Sequence, residues 1–204
     1  MFIVCSDLEG VFVPEVWINV AQKTGIEELK LTTRDISDYD VLMKKRLFIL
    51  KKHNLKIKDI QKVISTIQPL PGALEFIDWL KARTQLIIVS DTFREFADPL
   101  MEQLGRPTLF CHTLTIDPQG NIKDYNLRQR DPKRKVVEAL QSLEYKVLAF
   151  GDSYNDISML KKADKGFLYT PPQNVIDDYP ELSVALNYED LKKQLLPFLE
   201  QKDL

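Results

Sequence analysis

Three short apolar runs, each breaking off into acidic or hydroxyl residues, constrain this chain more than any other feature. Phe2–Cys5 leads into Ser6-Asp7-Leu8-Glu9-Gly10, Leu86–Val89 into Ser90-Asp91, and Val147–Phe150 into Gly151-Asp152. Each run has the length and branching of a strand buried on both faces of a parallel sheet. In an open α/β sheet the ligand sits outside the carboxyl ends of such strands. If the three strands are neighbours, Asp7, Glu9, Ser90, Asp152 and Asp156 converge on one crevice. Asp is also a favoured turn and helix-cap residue, so Asp7 or Asp152 taken singly is ambiguous. Repetition at matching strand ends is what carries the weight.

So much unpaired negative charge needs a partner. Two carboxylates about 4 Å apart repel by roughly 4 kcal/mol at an effective dielectric of 20. A crevice lined by three or four of them raises some pKa values or binds a cation. The candidate ligands are all oxygens, with no His or Cys among them, which suits Mg²⁺ better than Zn²⁺.

With 204 residues the chain can bury one α/β core carrying a modest insertion. A formal net charge of −2 gives no electrostatic case for nucleic acid or an anionic membrane as partner. The first apolar run is broken at Asp7, so no secretory core fits, and no apolar run approaches the ~18 residues of a membrane span. Cys5 and Cys111 each sit in an apolar run and read as buried free thiols. The expectation is a soluble cytoplasmic protein, with monomer and homodimer both left open.

Between Gly10 and Pro69 no strand pattern occurs. Val16, Ile18, Val20 and Ala21 suggest a short helix that Gly25 can end. Tyr39–Lys52 reads as a second helix with Leu42, Leu47, Ile49 and Leu50 on its apolar side and basic residues opposite, and a third follows from Asp59. The predicted architecture is a doubly wound, Rossmann-like α/β core of residues 1–14 and 70–204. A helical cap at 15–69 is inserted after the first strand and can close over the crevice. After Pro71 the βα alternation resumes, with a β-hairpin flap over Thr113–Leu127 and a closing helix, Tyr188–Phe198, bent or broken by Pro197.

The alternation also places Lys133. It opens the helix that precedes the run Val147–Phe150, and such a helix starts on the carboxyl face of the sheet. In the cluster Lys133-Arg134-Lys135 it would otherwise pass for a solvated lysine. At that position a point positive charge can hold a phosphate.

Asp7-x-Glu9-Gly10-Val11, a hydroxyl at Ser90, Lys133, and Gly151-Asp152-Ser153-Tyr154-Asn155-Asp156, in that order, resemble the haloacid-dehalogenase-like phosphohydrolases. The likeness covers almost the whole chain. Within that family, Asp-Leu-Glu-Gly-Val, Thr-Arg-Asp-Ile, Ser-Asp-Thr-Phe and Gly-Asp-Ser-Tyr-Asn-Asp resemble the bifunctional phosphoserine phosphatase/homoserine phosphotransferases. The resemblance implies a nucleophile at Asp7 and an acid/base at Glu9. It implies Mg²⁺ held by the Asp7 carboxylate, the Glu9 carbonyl and Asp152, with Asp156 acting through water or by orienting its neighbours. Ser90, Asp91 (through its backbone N–H) and Lys133 would bind the phosphoryl oxygens, and Asn155 would complete the polar shell. Glu15 would take the substrate ammonium and Arg46 its carboxylate. The implied substrate is a small phosphorylated amino acid, with homoserine as a second acceptor.

Two departures from the wider family matter. The acid/base is usually Asp, and Glu9 is one methylene longer. Glycines usually follow the second-motif serine, where this chain has Asp91-Thr92. Both departures fit the bifunctional subfamily. The competing readings are a phosphatase for another small phosphomonoester and a catalytically idle binding protein of the same fold; the second predicts a lost carboxylate, and none is lost. His53 and His112 have no companion at ligand spacing and carry no expected role. Trp17 and Trp79 read as packing residues, Tyr39 and Tyr154 as substrate contacts or as core or rim packing, and Arg34 as a candidate cap residue near substrate.

Overall fold

In a computed structural model of the chain, which describes residues 1–32, 35–36 and 38–200, strand and helix alternate as the apolar runs foretell. Arg34, with Thr33, Ser37 and residues 201–204, lies outside the described residues. Strand β1 (Phe2–Ser6) is followed by helices α1 (Val16–Thr24), α2 (Tyr39–Lys52) and α3 (Ile57–Ile64). Then come α4 (Ala73–Lys81), β2 (Leu86–Phe93), α5 (Arg94–Gln103), β3 (Thr108–Ile116) and β4 (Ile122–Asn126). The rest is α6 (Pro132–Ser142), β5 (Lys146–Gly151), α7 (Ile157–Lys162), β6 (Lys165–Tyr169), α8 (Gln173–Asp178), β7 (Ser183–Ala185) and α9 (Tyr188–Leu199).

The strands form one sheet in the order β4-β3-β2-β1-β5-β6-β7, parallel except for the β3–β4 pair. β1 is therefore flanked by β2 and β5. The chain leaves β1 towards β2 on one side and returns through β5 on the other, so a crevice opens at the carboxyl ends of these three strands.

Alternation along the strands divides the core. Ile3 and Cys5 of β1 face one apolar layer with Val136 and Val137 of α6 and Met159 and Leu160 of α7. Val4 points to the other layer, which holds Phe76, Phe96, Leu191 and Leu195. Helices on both faces are what a parallel sheet of Val, Ile and Leu requires. In the second layer the rings of Phe12, Phe76 and Phe150 meet with centroids 5.8–6.4 Å apart. Val16, Trp17, Val20, Met43, Ile49, Ile60 and Ile64, from the helices between β1 and α4, join this same layer.

Several expectations are corrected. β2 continues past Val89 to Phe93, with a register shift against β3 between Val89 and Phe93, so Ser90 and Asp91 lie within the strand rather than in a loop after it. The first arm of the expected hairpin is the end of a longer strand, β3, which starts at Thr108 and pairs with β2 before it pairs with β4. α9 runs through Pro197 to Leu199; a proline in the last turn forfeits one backbone bond without ending the helix. Cys111 is only half-buried, whereas Cys5 is buried as expected. Among the described residues no helix is long and apolar enough to cross a membrane.

Candidate active site

Asp7 follows the last residue of β1, and its backbone N–H still reaches across to the Phe150 carbonyl at 3.1 Å. That bond fixes the aspartate at the mouth of the crevice, 5% exposed. Lys133 stands in the first turn of α6, 2% exposed, and its Nζ lies 2.9 Å from Asp7 Oδ1 and 2.6 Å from Asp156 Oδ1. The turn ahead of α6 is tied down where Asp131, at φ +49°, accepts a hydrogen bond from Ser158 Oγ of α7 at 2.8 Å. The lysine that charge patterning alone would leave in solvent is buried.

Asp156 is fully buried, and both of its oxygens are engaged. Oδ1 takes Lys133, and Oδ2 accepts the backbone N–H groups of Asp152 and Ser153 at 3.0 and 3.1 Å. It therefore shapes the loop that carries Asp152. Asp7, Asp152 and Asp156 each offer a carboxylate oxygen within 4.8 Å of the others. Against these three charges stands, among the described residues, the Lys133 ammonium.

The electrostatics follow from burial. Desolvation first, then the charge of Asp156, pushes the Asp7 carboxyl above its ordinary range, while Lys133 opposes the rise. Burial and Asp156 push Asp152 up to about 6. Burial, then Glu15, pushes Glu9 up to about 7. Burial alone would lower the Lys133 ammonium, but Asp156, Asp7 and Asp91 hold it well above its usual value, so it stays charged.

A divalent cation fits this site: the hard carboxylate oxygens of Asp7 and Asp152, the further negative charge of Asp156 behind them, and room kept by glycine. A Cβ on Gly10, whose φ is +75°, would fall 2.5 Å from Asp152 Oδ2. Only glycine lets the first acidic loop approach that carboxylate so closely.

Glu9 turns back, and its Oε2 accepts the Val16 backbone N–H at 2.8 Å, satisfying an orphan donor at the start of α1. Glu15, at the N-cap of the same helix, is exposed yet close enough to raise both Glu9 and Asp152. Arg46 is 7% exposed and lies on the buried stripe of α2 with Leu42, Met43, Ile49 and Leu50, so the expectation that the basic residues lie opposite the apolar side fails for it. Its guanidinium stacks 4.5 Å over the Trp17 ring, and Nη2 donates to the Leu31 carbonyl at 2.8 Å. Nε is buried with no hydrogen-bond partner among the described residues. Burial draws the Arg46 pKa down to about 10.

Ser90 is buried, and its Oγ accepts the Thr92 N–H at 3.2 Å. Asp91 Oδ2 accepts a hydrogen bond from Asn155 Nδ2 at 2.9 Å and lies 3.9 Å from Lys133 Nζ. Two neighbours of Asp91 escaped the sequence reading. Tyr39 donates to its carbonyl at 3.2 Å, and the buried His112 presents Nε2 to Oδ1 at 3.4 Å. Although burial raises it, Asp91 ends well below the usual carboxylate range because Lys133, His112 and Asn155 favour its charge. The register of β3 against the extended β2 could have found His112, had the strand been read past Val89.

Over residues 8–164 the chain matches the haloacid dehalogenase-like hydrolase family. It is 58% identical over 196 residues to a protein named phosphoserine phosphatase ThrH from Pseudomonas aeruginosa, spanning 96% of each chain. A phosphoserine phosphatase of Methanocaldococcus jannaschii is 30% identical over 157 residues, 71% of this chain and 73% of that one. Among solved structures, an apo phosphoserine phosphatase matches with a TM-score of 0.75 at 25% identity, covering 97% of this chain and 98% of the other. A phospho-aspartyl intermediate analogue of phosphoserine phosphatase matches in fold, with a TM-score of 0.73 at 24% identity over 97% of each.

Proposed function

The chain belongs to the haloacid dehalogenase-like hydrolase family, and from that premise we propose how it acts. It is a phosphoserine phosphatase. In our reading Asp7 attacks phosphorus in line, the bond from phosphorus to the serine oxygen breaks, and an aspartyl-phosphate forms. Glu9, whose pKa burial raises to about 7, gives its proton to the departing serine oxygen. It then takes a proton from the attacking water, whose oxygen displaces Asp7 from phosphorus. Phosphate leaves and both carboxyls return to their starting state.

The observation that carries this reading is the Lys133 ammonium 2.9 Å from Asp7 at the end of β1. It holds the carboxylate in place and supplies positive charge where the phosphoryl oxygens arrive. Ser90 Oγ and the Asp91 N–H would share that load. Mg²⁺ would be held by the Asp7 and Asp152 carboxylates and the Glu9 carbonyl, with Asp156 orienting the Asp152 loop. When bound it would neutralise phosphoryl charge.

Selectivity would come from residues 15–69, which we read as a cap over a core of 1–14 and 70–204. The orphaned Nε and shielded guanidinium of Arg46 suit a substrate carboxylate, and Glu15 suits its ammonium. Asn155 supports Asp91 at the rim. Homoserine offers the same ammonium and carboxylate, with its hydroxyl one methylene farther out. A bound alcohol can outcompete water, since effective molarities reach about 10⁵ M or more in well-oriented cases. Incubation of phosphoserine and Mg²⁺ with homoserine, followed by phosphorus NMR, should yield phosphohomoserine beside inorganic phosphate. Inorganic phosphate alone at saturating homoserine would leave a hydrolase only.

A further inference from the structure

His112 belongs to no motif and, among the described residues, has no metal-ligand companion, yet it is 2% exposed and its ring is placed at both ends. Nδ1 accepts the Arg128 backbone N–H at 3.1 Å, so that nitrogen must carry a lone pair and the proton of the neutral ring sits on Nε2. Nε2 faces Asp91 Oδ1 at 3.4 Å. The rings of Phe93 and Tyr39 lie 6.2 and 6.5 Å away and confine the imidazole. A buried packing residue needs neither end satisfied in this way; phenylalanine would fill the space.

The residue so addressed is a carboxylate in an awkward place. Asp91 follows Ser90 directly, is 31% exposed on its side chain, and already stands 3.9 Å from Lys133 Nζ. Unrestrained, it could close that gap and become the third carboxylate on one ammonium. His112 Nε2 faces one of its oxygens at 3.4 Å, and Asn155 Nδ2 donates to the other at 2.9 Å. We propose that His112 is a positioning residue that, together with Asn155, holds the Asp91 carboxylate off Lys133 and out of the phosphoryl subsite. This rests on the reading of Ser90 and Lys133 as phosphoryl-binding groups, though not on phosphoserine being the substrate.

The test uses p-nitrophenyl phosphate turnover with inorganic phosphate as competitor, so it stands apart from whether phosphoserine is turned over. His112→Phe should raise both the KM and the inhibition constant of phosphate about tenfold, the scale of one misplaced charge-assisted hydrogen bond. His112→Gln keeps a donor and an acceptor and should lie much nearer the parent. In the His112→Phe background, Asp91→Asn should recover most of the lost phosphate affinity, because the group needing restraint has lost its charge. Unchanged phosphate inhibition in His112→Phe, or additive losses in the double variant, would overturn the proposal. A measurement on the parent protein guards against a variant that does not fold. Imidazole ¹⁵N NMR should show the neutral Nε2–H form, and an Nδ1–H form would refute the orientation on which the proposal depends.

Discussion

Lys133→Met isolates the electrostatic problem at the centre of the fold. The substitution keeps a long apolar stem but removes an ammonium bonded to Asp7 and Asp156 at 2.9 and 2.6 Å. Two buried carboxylates are left with oxygens within 4.8 Å of each other, a separation at which unit charges repel by about 3.5 kcal/mol at an effective dielectric of 20. Breaking a buried pair by removing one partner typically costs about 3–5 kcal/mol, the same range reached by a different route. For a chain of this size each kcal/mol moves the melting temperature by about 2–4 °C, so the loss in metal-free buffer at pH 7.5 should be about 10 °C. The sign of the pH dependence follows. Without Lys133 the folded state holds protons on these carboxyls more tightly than the unfolded chain does. Stability is then regained as pH falls, and the gap to the parent should shrink by pH 5.5. Thermal unfolding followed by circular dichroism at both pH values measures this. A variant melting within 2 °C of the parent at pH 7.5 would refute the account of Lys133 as the charge that makes the crevice tolerable.

The parent itself should show a related dependence. Folding raises Glu9 from 4.5 to about 7 and Asp152 from 3.8 to about 6, so metal-free stability should rise as pH falls from 8 to 6, and saturating Mg²⁺ should flatten the slope. A metal-free melting temperature that drops over that interval would contradict it. Gly10→Ala places a methyl against Asp152 at a left-handed backbone position and should raise the Mg²⁺ needed for half-maximal activity about tenfold, with the fold intact by circular dichroism. An unchanged Mg²⁺ titration would remove Asp152 from the metal's ligands. Arg46→Ala should cost phosphoserine turnover about 100-fold and p-nitrophenyl phosphate, which has no carboxylate, less than tenfold. Equal losses on both substrates would assign Arg46 to cap structure.

The sheet was legible because burial on both faces leaves continuous apolar runs, each followed by acidic or hydroxyl residues. Asp7, Asp152 and Lys133 could be placed from strand ends and helix direction alone. Ser90 was expected beyond its strand because the apolar run stops at Val89, whereas the backbone remains extended through Phe93. Arg46 shows the limit of reading charge as solvent exposure. Its neighbours Lys44 and Lys45 are exposed, whereas Leu42, Met43, Arg46, Ile49 and Leu50 form one buried stripe at helical spacing. An arginine at a core register position was the available clue, and its stacking on Trp17 was not. His112 was missed because its partners, Asp91 and the Arg128 backbone, are distant in sequence and meet only through the β3 register. β7 and α8 are too short to show a period.

The central claim is that Asp7 itself carries the phosphoryl group, and its most direct test is chemical. Rapid acid quenching during turnover of ³²P-labelled phosphoserine with Mg²⁺ should leave label on the protein that hydroxylamine releases, as expected of an acyl phosphate. Mass spectrometry of the digested protein should place it on the peptide containing Asp7. The folded Asp7→Asn variant should carry no label and release no phosphate. Label at any other residue, or steady phosphate release by that variant, would contradict the account.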